Sequence, residues 1–168
     1  MLHLVSEADQ ITALTAGAVY RSADWPNPEV PNWRAGVYTI WDEARFLYVG
    51  MGGRGLADDA HPSPEALASK RARGLRDRLN SHASGRRSGD QFCVYVCDRL
   101  VLPTLSPADL SKVASGTLSL DALTREFIRD RLTYRFVVTT SGLDALRLEE
   151  IVRIDGLNGA TPVLNPKI

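Results

Sequence analysis

Little in this sequence can form a covalent cross-link or hold a transition metal. The 168 residues include two cysteines, Cys93 and Cys97, and three histidines, His3, His61 and His82. On a strand the two cysteines would lie ~13 Å apart at ~3.3 Å per residue, too far for a disulfide. The usual zinc spacings cannot be assembled from this set, which leaves any metal to oxygen ligands. Long apolar runs are lacking too. The longest, Gly36–Ile40 and Phe92–Cys97, fall far short of the ~20 residues that cross a bilayer. Met1–Gln10 also lacks the basic and apolar regions of a signal peptide. These absences predict a cytoplasmic protein with no disulfide scaffold and no membrane partner. Net charge is absent as well, with 20 basic residues against 20 acidic, which argues against nonspecific coating of nucleic acid.

What is present is the makeup of an ordinary globular domain: 44% apolar residues, 24% charged, 13 Gly and 9 Pro. The length suits one domain with an N-terminal extension. The charge is placed unevenly. Between Lys70 and Gly89 stand Lys70, Arg71, Arg73, Arg76, Arg78, Arg86 and Arg87 against Asp77 alone, and the rest of the chain carries the balancing excess of acid. A short cationic segment on an acidic body suits a local anion site, such as a phosphate backbone. The same pattern also fits a solvated arginine-rich helix face.

Along the chain, Ser6 and Gly17 bracket a helix over Glu7–Ala16, and three prolines make Trp25–Trp33 an extended connector. Residues 1–32 therefore read as a helical extension, and 33–168 as the main domain. Ala35–Trp41 and Arg45–Gly50 read as a β-hairpin. With the turn centred on Glu43, Tyr38 would pair with Tyr48 on one face. A helix is expected from about Glu65 to Ala83, stopping at Gly85, with Ala72, Leu75, Leu79 and Ala83 as its buried stripe. Arg71, Arg78 and His82 share one flank of that stripe; Arg73, Arg76 and Asn80 share the other. Gln91–Val101 reads as a strand, Pro107–Ala114 and Leu120–Leu132 as helices, Tyr134–Thr140 as a strand and Leu143–Arg153 as a helix. On that last wheel Glu149 lies about 70° from the apolar centre and Glu150 nearly opposite it. Thr161–Ile168 reads as extended backbone.

Gly52-Gly53-Arg54-Gly55 suggests a phosphate cradle, but it lacks the Lys-Ser/Thr ending of a P-loop and does not open directly into a helix. Five motifs in order say more. Gly36-Val37-Tyr38, Tyr48-Val49-Gly50, Arg78-Leu79-Asn80-Ser81-His82, Ala145-Leu146-Arg147-Leu148-Glu149 and Leu164-Asn165 together resemble the GIY-YIG nuclease superfamily over about residues 35–168. Insertions at about 53–69 and 93–132 go beyond a compact member.

The resemblance implies a mixed α/β fold: a small, mostly antiparallel sheet with a β-hairpin, flanked by helices and carrying a helical insertion. It implies an endonuclease that hydrolyses nucleic acid, DNA ahead of RNA, with one divalent cation, Mg²⁺ or Mn²⁺. Position by position, Tyr38 and Tyr48 match the two tyrosines that order the attacking water. Arg78 matches the arginine facing the scissile phosphate, His82 the residue four later, Glu149 the metal ligand and Asn165 the asparagine that braces the site. Arg54, Arg71, Arg73, Arg76, Arg86 and Arg87 are the candidate substrate contacts. The chemistry agrees, because phosphodiester hydrolysis needs charge neutralised on the phosphate oxygens, a positioned water and a proton acceptor. A tyrosine near pKa ~10 is a poor base unless nearby cations lower its pKa, which Arg78 and the metal could do. Tyr38, His82 and a metal-bound hydroxide all stand open as that acceptor. One site cuts one strand, so a double-strand break would need a dimer or two nicks. A catalytically degenerate binding module on the same fold is the alternative.

Overall fold

The computed structural model describes residues 6–56 and 73–166. They form a mixed α/β fold, a four-stranded antiparallel sheet with helices on both faces. Strand β1 is Tyr20–Arg21, β2 Gly36–Asp42, β3 Arg45–Gly52 and β4 Leu132–Val138, in the order β1-β4-β2-β3. Helix α1 is Glu7–Ala16, α2 Leu75–Ala83, α3 Gln91–Val96, α4 Pro107–Ala114, α5 Leu120–Arg131 and α6 Gly142–Asp155. No helix of the described residues is long and apolar enough to cross a membrane.

Helix starts follow the side chains that cap them. Ser6, Ser106, Ser119 and Ser141 each accept a bond from a backbone amide three residues on, which satisfies one of the donors a helix N-terminus leaves open. Strand β2 is central and alternates strictly. Val37, Thr39 and Trp41 face α1 and α6, while Tyr38 and Ile40 face α2, α3 and α5. The segment before the hairpin is packed into this body. β1 extends the sheet through β4, Trp25 and Val30 are buried beside Tyr38, and the Thr39 hydroxyl donates to the Leu14 carbonyl at 2.9 Å.

The hairpin register differs from the expected one. Its loop is the two residues Glu43 and Ala44, closed by Asp42 opposite Arg45, with Glu43 in the left-handed region at φ 54°. That turn moves the register by one residue, which alone would swap the faces of β3. An extra residue, Leu47, then shifts it once more between Trp41–Phe46 and Ile40–Tyr48. The bulge restores the faces, so Tyr48 shares a face with Tyr38 although Tyr38 stands opposite Gly50.

Two further expectations are corrected. Gln91–Val101 is not a strand. Asp90 caps α3 by accepting from the Cys93 amide at 3.3 Å, and the helix widens into a π turn over Cys97–Val101. Cys93 and Cys97 are thus buried free thiols one helical turn apart. The basic helix does not run through Arg73 and Gly74 either. Gly74 sits at φ 72° and bridges to Arg34, where a Cβ would lie 2.1 Å from the Arg34 carbonyl oxygen, so α2 starts at Leu75. The earlier part of that expected helix, with Ala72 and Arg71, lies outside the described residues.

Candidate active site

Tyr48, Arg54, Arg73, Arg78 and Glu149 line one cleft of about 510 Å³, together with Asp77 and the glycines that close β3. Each arrives from a different element. β3 supplies Tyr48, the glycine-rich exit supplies Arg54, the bridge to Arg34 holds Arg73, α2 supplies Arg78 and α6 supplies Glu149. Glu149 is half-buried and faces the cleft, whereas Glu150 is exposed and lines no part of it.

Tyr38, His82 and Asn165 stand behind this cleft. The Asn165 side chain bonds both backbone groups of Val49, accepting from its amide at 2.9 Å and donating to its carbonyl at 2.8 Å. The Val163 and Leu164 backbone amides donate to the Phe46 and Leu47 carbonyls at 3.2 and 2.8 Å. The C-terminal segment therefore covers the free edge of β3 and fixes the backbone on which Tyr48 sits. Tyr38 is wholly buried. Its hydroxyl lies 2.6 Å from His82 Nε2, and His82 Nδ1 lies 2.7 Å from the Asp90 carboxylate. Phe92 packs against both the His82 and Tyr48 rings.

Electrostatics fix the direction of this chain. Burial works against ionisation of Asp90, but bonds from His82, Ser81 and the Cys93 amide outweigh it and hold the carboxyl down to about 2. The ionised carboxylate only accepts, so Nδ1 carries the imidazole proton. Burial depresses His82 below its ordinary value, with Asp90 opposing and Arg78 reinforcing. Neutral His82 then offers Nε2 as an acceptor, and the Tyr38 hydroxyl donates to it. Arg78 alone does not acidify the tyrosines. Arg78 does pull both down, but burial is larger, driving Tyr38 well up and Tyr48 up to about 12. Burial also raises Glu149, against the pull of Arg153 and Arg54.

Asp90 was not visible as a site residue because its segment reads as a strand. The signal that could have found it is Gly89-Asp90 before an apolar run, which is a helix start. Its coupling to His82 makes stability fall in acid. Asp90 is lower in the folded chain than its ordinary 3.8, so its contribution is complete above that value and is lost as pH drops towards 2. Asp90→Asn is expected to flatten the urea midpoint against pH over that window.

Gly50 is the second unforeseen residue. It lines the cleft opposite Tyr38, and a Cβ there would lie 2.3 Å from the Tyr38 hydroxyl oxygen and 2.9 Å from the Tyr48 ring. Gly50→Ala is expected to cost about 1–3 kcal/mol by overpacking, read from urea unfolding. Tyr38→Phe in the same chain should recover part of that loss, since the nearest clashing atom is the hydroxyl.

Three of the other expected substrate contacts lie elsewhere. Arg76 is spent on the Val30 and Asn27 carbonyls, at 3.0 and 2.9 Å, and leans over the Trp25 ring. Arg87 pairs with Asp121 at 2.7 Å. Arg86 is exposed and lines no part of the cleft. Arg71 lies outside the described residues.

For a divalent cation, the cleft offers two carboxylates among the described residues, the half-buried Glu149 and the exposed Asp77. No group of three His, Cys, Asp or Glu side chains among the described residues could cage a metal. That fits Mg²⁺, which keeps much of its water and is held by one or two carboxylates plus substrate phosphate. A closed structural zinc site does not fit. Comparison with known proteins adds no relative: no family model, curated protein or solved structure matches the chain.

Proposed function

We propose that this protein hydrolyses phosphodiester bonds of nucleic acid, DNA ahead of RNA, at a GIY-YIG-type site that uses one Mg²⁺ or Mn²⁺. The observation that carries the reading is the single cleft into which Tyr48, Arg78 and Glu149 converge, with the Tyr38–His82–Asp90 chain directly behind it.

Arg78 places a planar donor fork in the cleft and neutralises charge on the nonbridging phosphate oxygens. Arg54 and Arg73 hold neighbouring phosphates. Tyr48 orders water at the mouth with its hydroxyl, protonated because burial keeps its pKa high. Gly50 is the thin point between solvent and the Tyr38 hydroxyl. Once water reaches the Tyr38 hydroxyl past Gly50, Tyr38 would accept the attacking water's proton and pass its own to His82 Nε2, so no free phenolate accumulates. Asp90 stabilises the imidazolium that results, as the third group does in other nucleophile–histidine–acid arrangements. Glu149 is the residue that would hold the metal, which supplies Lewis-acid stabilisation of the phosphate charge.

The test is incubation of plasmid DNA and structured DNA and RNA oligonucleotides with the protein at low salt, with Mg²⁺, with Mn²⁺ and with chelator. Cutting that requires the metal is the expected result. Binding without cutting would instead favour a degenerate module on the same fold, and neither binding nor cutting would overturn the reading.

A further inference from the structure

A second groove, of about 870 Å³, lies beyond the cleft. The helical segment with Tyr95 and Arg99 forms one wall, α6 with Arg153 the other, and Val163 and Leu164 the floor. Two arginines face it, and among the described residues no carboxylate lines it. Their bonding leaves donors free for a ligand. Arg153 Nε is buried and finds no hydrogen-bond partner among the described residues, an arrangement that native structures rarely leave without a purpose. Arg99 spends one nitrogen on the Val163 carbonyl.

The groove and the cleft are built on the same elements, with α6 lining both. Asn165 lines it and grips Val49, the neighbour of Tyr48. Tyr95 is close enough to Tyr48 to raise its pKa, and Arg153 is close enough to Glu149 to lower that of the carboxyl. On α6 Arg153 stands four residues beyond Glu149, ~6 Å along the axis, a step on the scale of neighbouring phosphates in a strand.

We propose that the groove is the second half of the substrate track: a nucleic-acid strand leaves the cleft past Tyr48 and Glu149 and runs between Arg99 and Arg153, which take its next phosphates. The apolar floor and the Tyr95 ring then face sugar and base. This inference rests on the nuclease reading and extends it, placing the helical segment of residues 91–101 in substrate binding.

The test uses a labelled DNA strand and its duplex, with binding followed by anisotropy under chelation and cleavage followed with Mg²⁺. Arg99→Ala and Arg153→Ala are each expected to weaken binding about tenfold, as loss of a charge-assisted bond does. Each should make the slope of log affinity on log salt shallower by about 0.7–0.9, and raise KM with kcat within twofold. Glutamine at either position, which loses the charge but keeps most of the length, should behave like alanine, and lysine should restore the slope. This separates charge from packing if an alanine variant unfolds. Metal-dependent cutting with KM and salt slope unchanged in the glutamine variants would overturn the groove and leave the nuclease reading standing. No binding and no cutting by the natural sequence would overturn both.

Discussion

Tyr38→Phe, which removes one oxygen atom, is expected to slow cleavage by about 10²–10⁴-fold, the usual range for losing a positioned proton-transfer group. The ring stays in a core that is otherwise unchanged, so the urea midpoint should move far less than the rate. His82→Ala removes the acceptor of the same proton and should cost a similar factor. The two losses should not add in the double variant, because both break one relay. The pH profile supplies a separate signature. Burial keeps the His82 pKa below 6.5, so Nε2 is a free acceptor at neutral pH and becomes a donor once protonated. The single-turnover rate should therefore fall in acid, at a lower pH than an unburied histidine would give, and the residual rate of His82→Ala should lack that limb. A natural rate that stays flat down to the acid unfolding of Asp90 would contradict the relay.

On the proposed function, Glu149→Ala is expected to lower the metal-dependent rate by about 10³-fold or more, since the Lewis acid it would hold would contribute several kcal/mol to the transition state. Its neighbour is the matched control. Glu150 is one residue along the same helix, with the same charge, exposed and outside the cleft, so Glu150→Ala should stay within twofold. Net charge and helix propensity change equally in the two variants, and only the direction of the carboxylate differs.

How far the sequence alone carried these conclusions follows from where side chains control local structure. The bounds of α1 and the start of α4 were legible because Ser6, Gly17 and Ser106 decide them within a few residues. The identity of α3 was not. A short, β-prone apolar run reads equally as a strand or a buried helix, and the decision rests on the Asp90 carboxylate capping the Cys93 amide. The hairpin was visible, but its pairing depended on a two-residue turn and a bulge at Leu47, neither of which has a marker in the side chains. Its face parity survived because the two shifts add to an even number. In the site, the helical wheel was enough to turn Glu149 inward and Glu150 out. It could not tell a cleft-facing arginine from one tethered elsewhere. Arg76 and Arg78 look alike in sequence, yet Arg76 is bound to the Asn27 and Val30 carbonyls of a distant connector while Arg78 points into the cleft.

The central claim is that Glu149 and the cleft around it make a metal-dependent nuclease. It is tested most directly by single-turnover cleavage of one labelled substrate by the natural sequence, Glu149→Ala and Glu150→Ala across a Mg²⁺ titration at fixed low salt. Cutting that saturates with Mg²⁺ is expected for the natural sequence and Glu150→Ala, and cutting reduced by about 10³-fold for Glu149→Ala while substrate binding persists. Equal cutting by all three proteins, or cutting that persists under chelation, would contradict it.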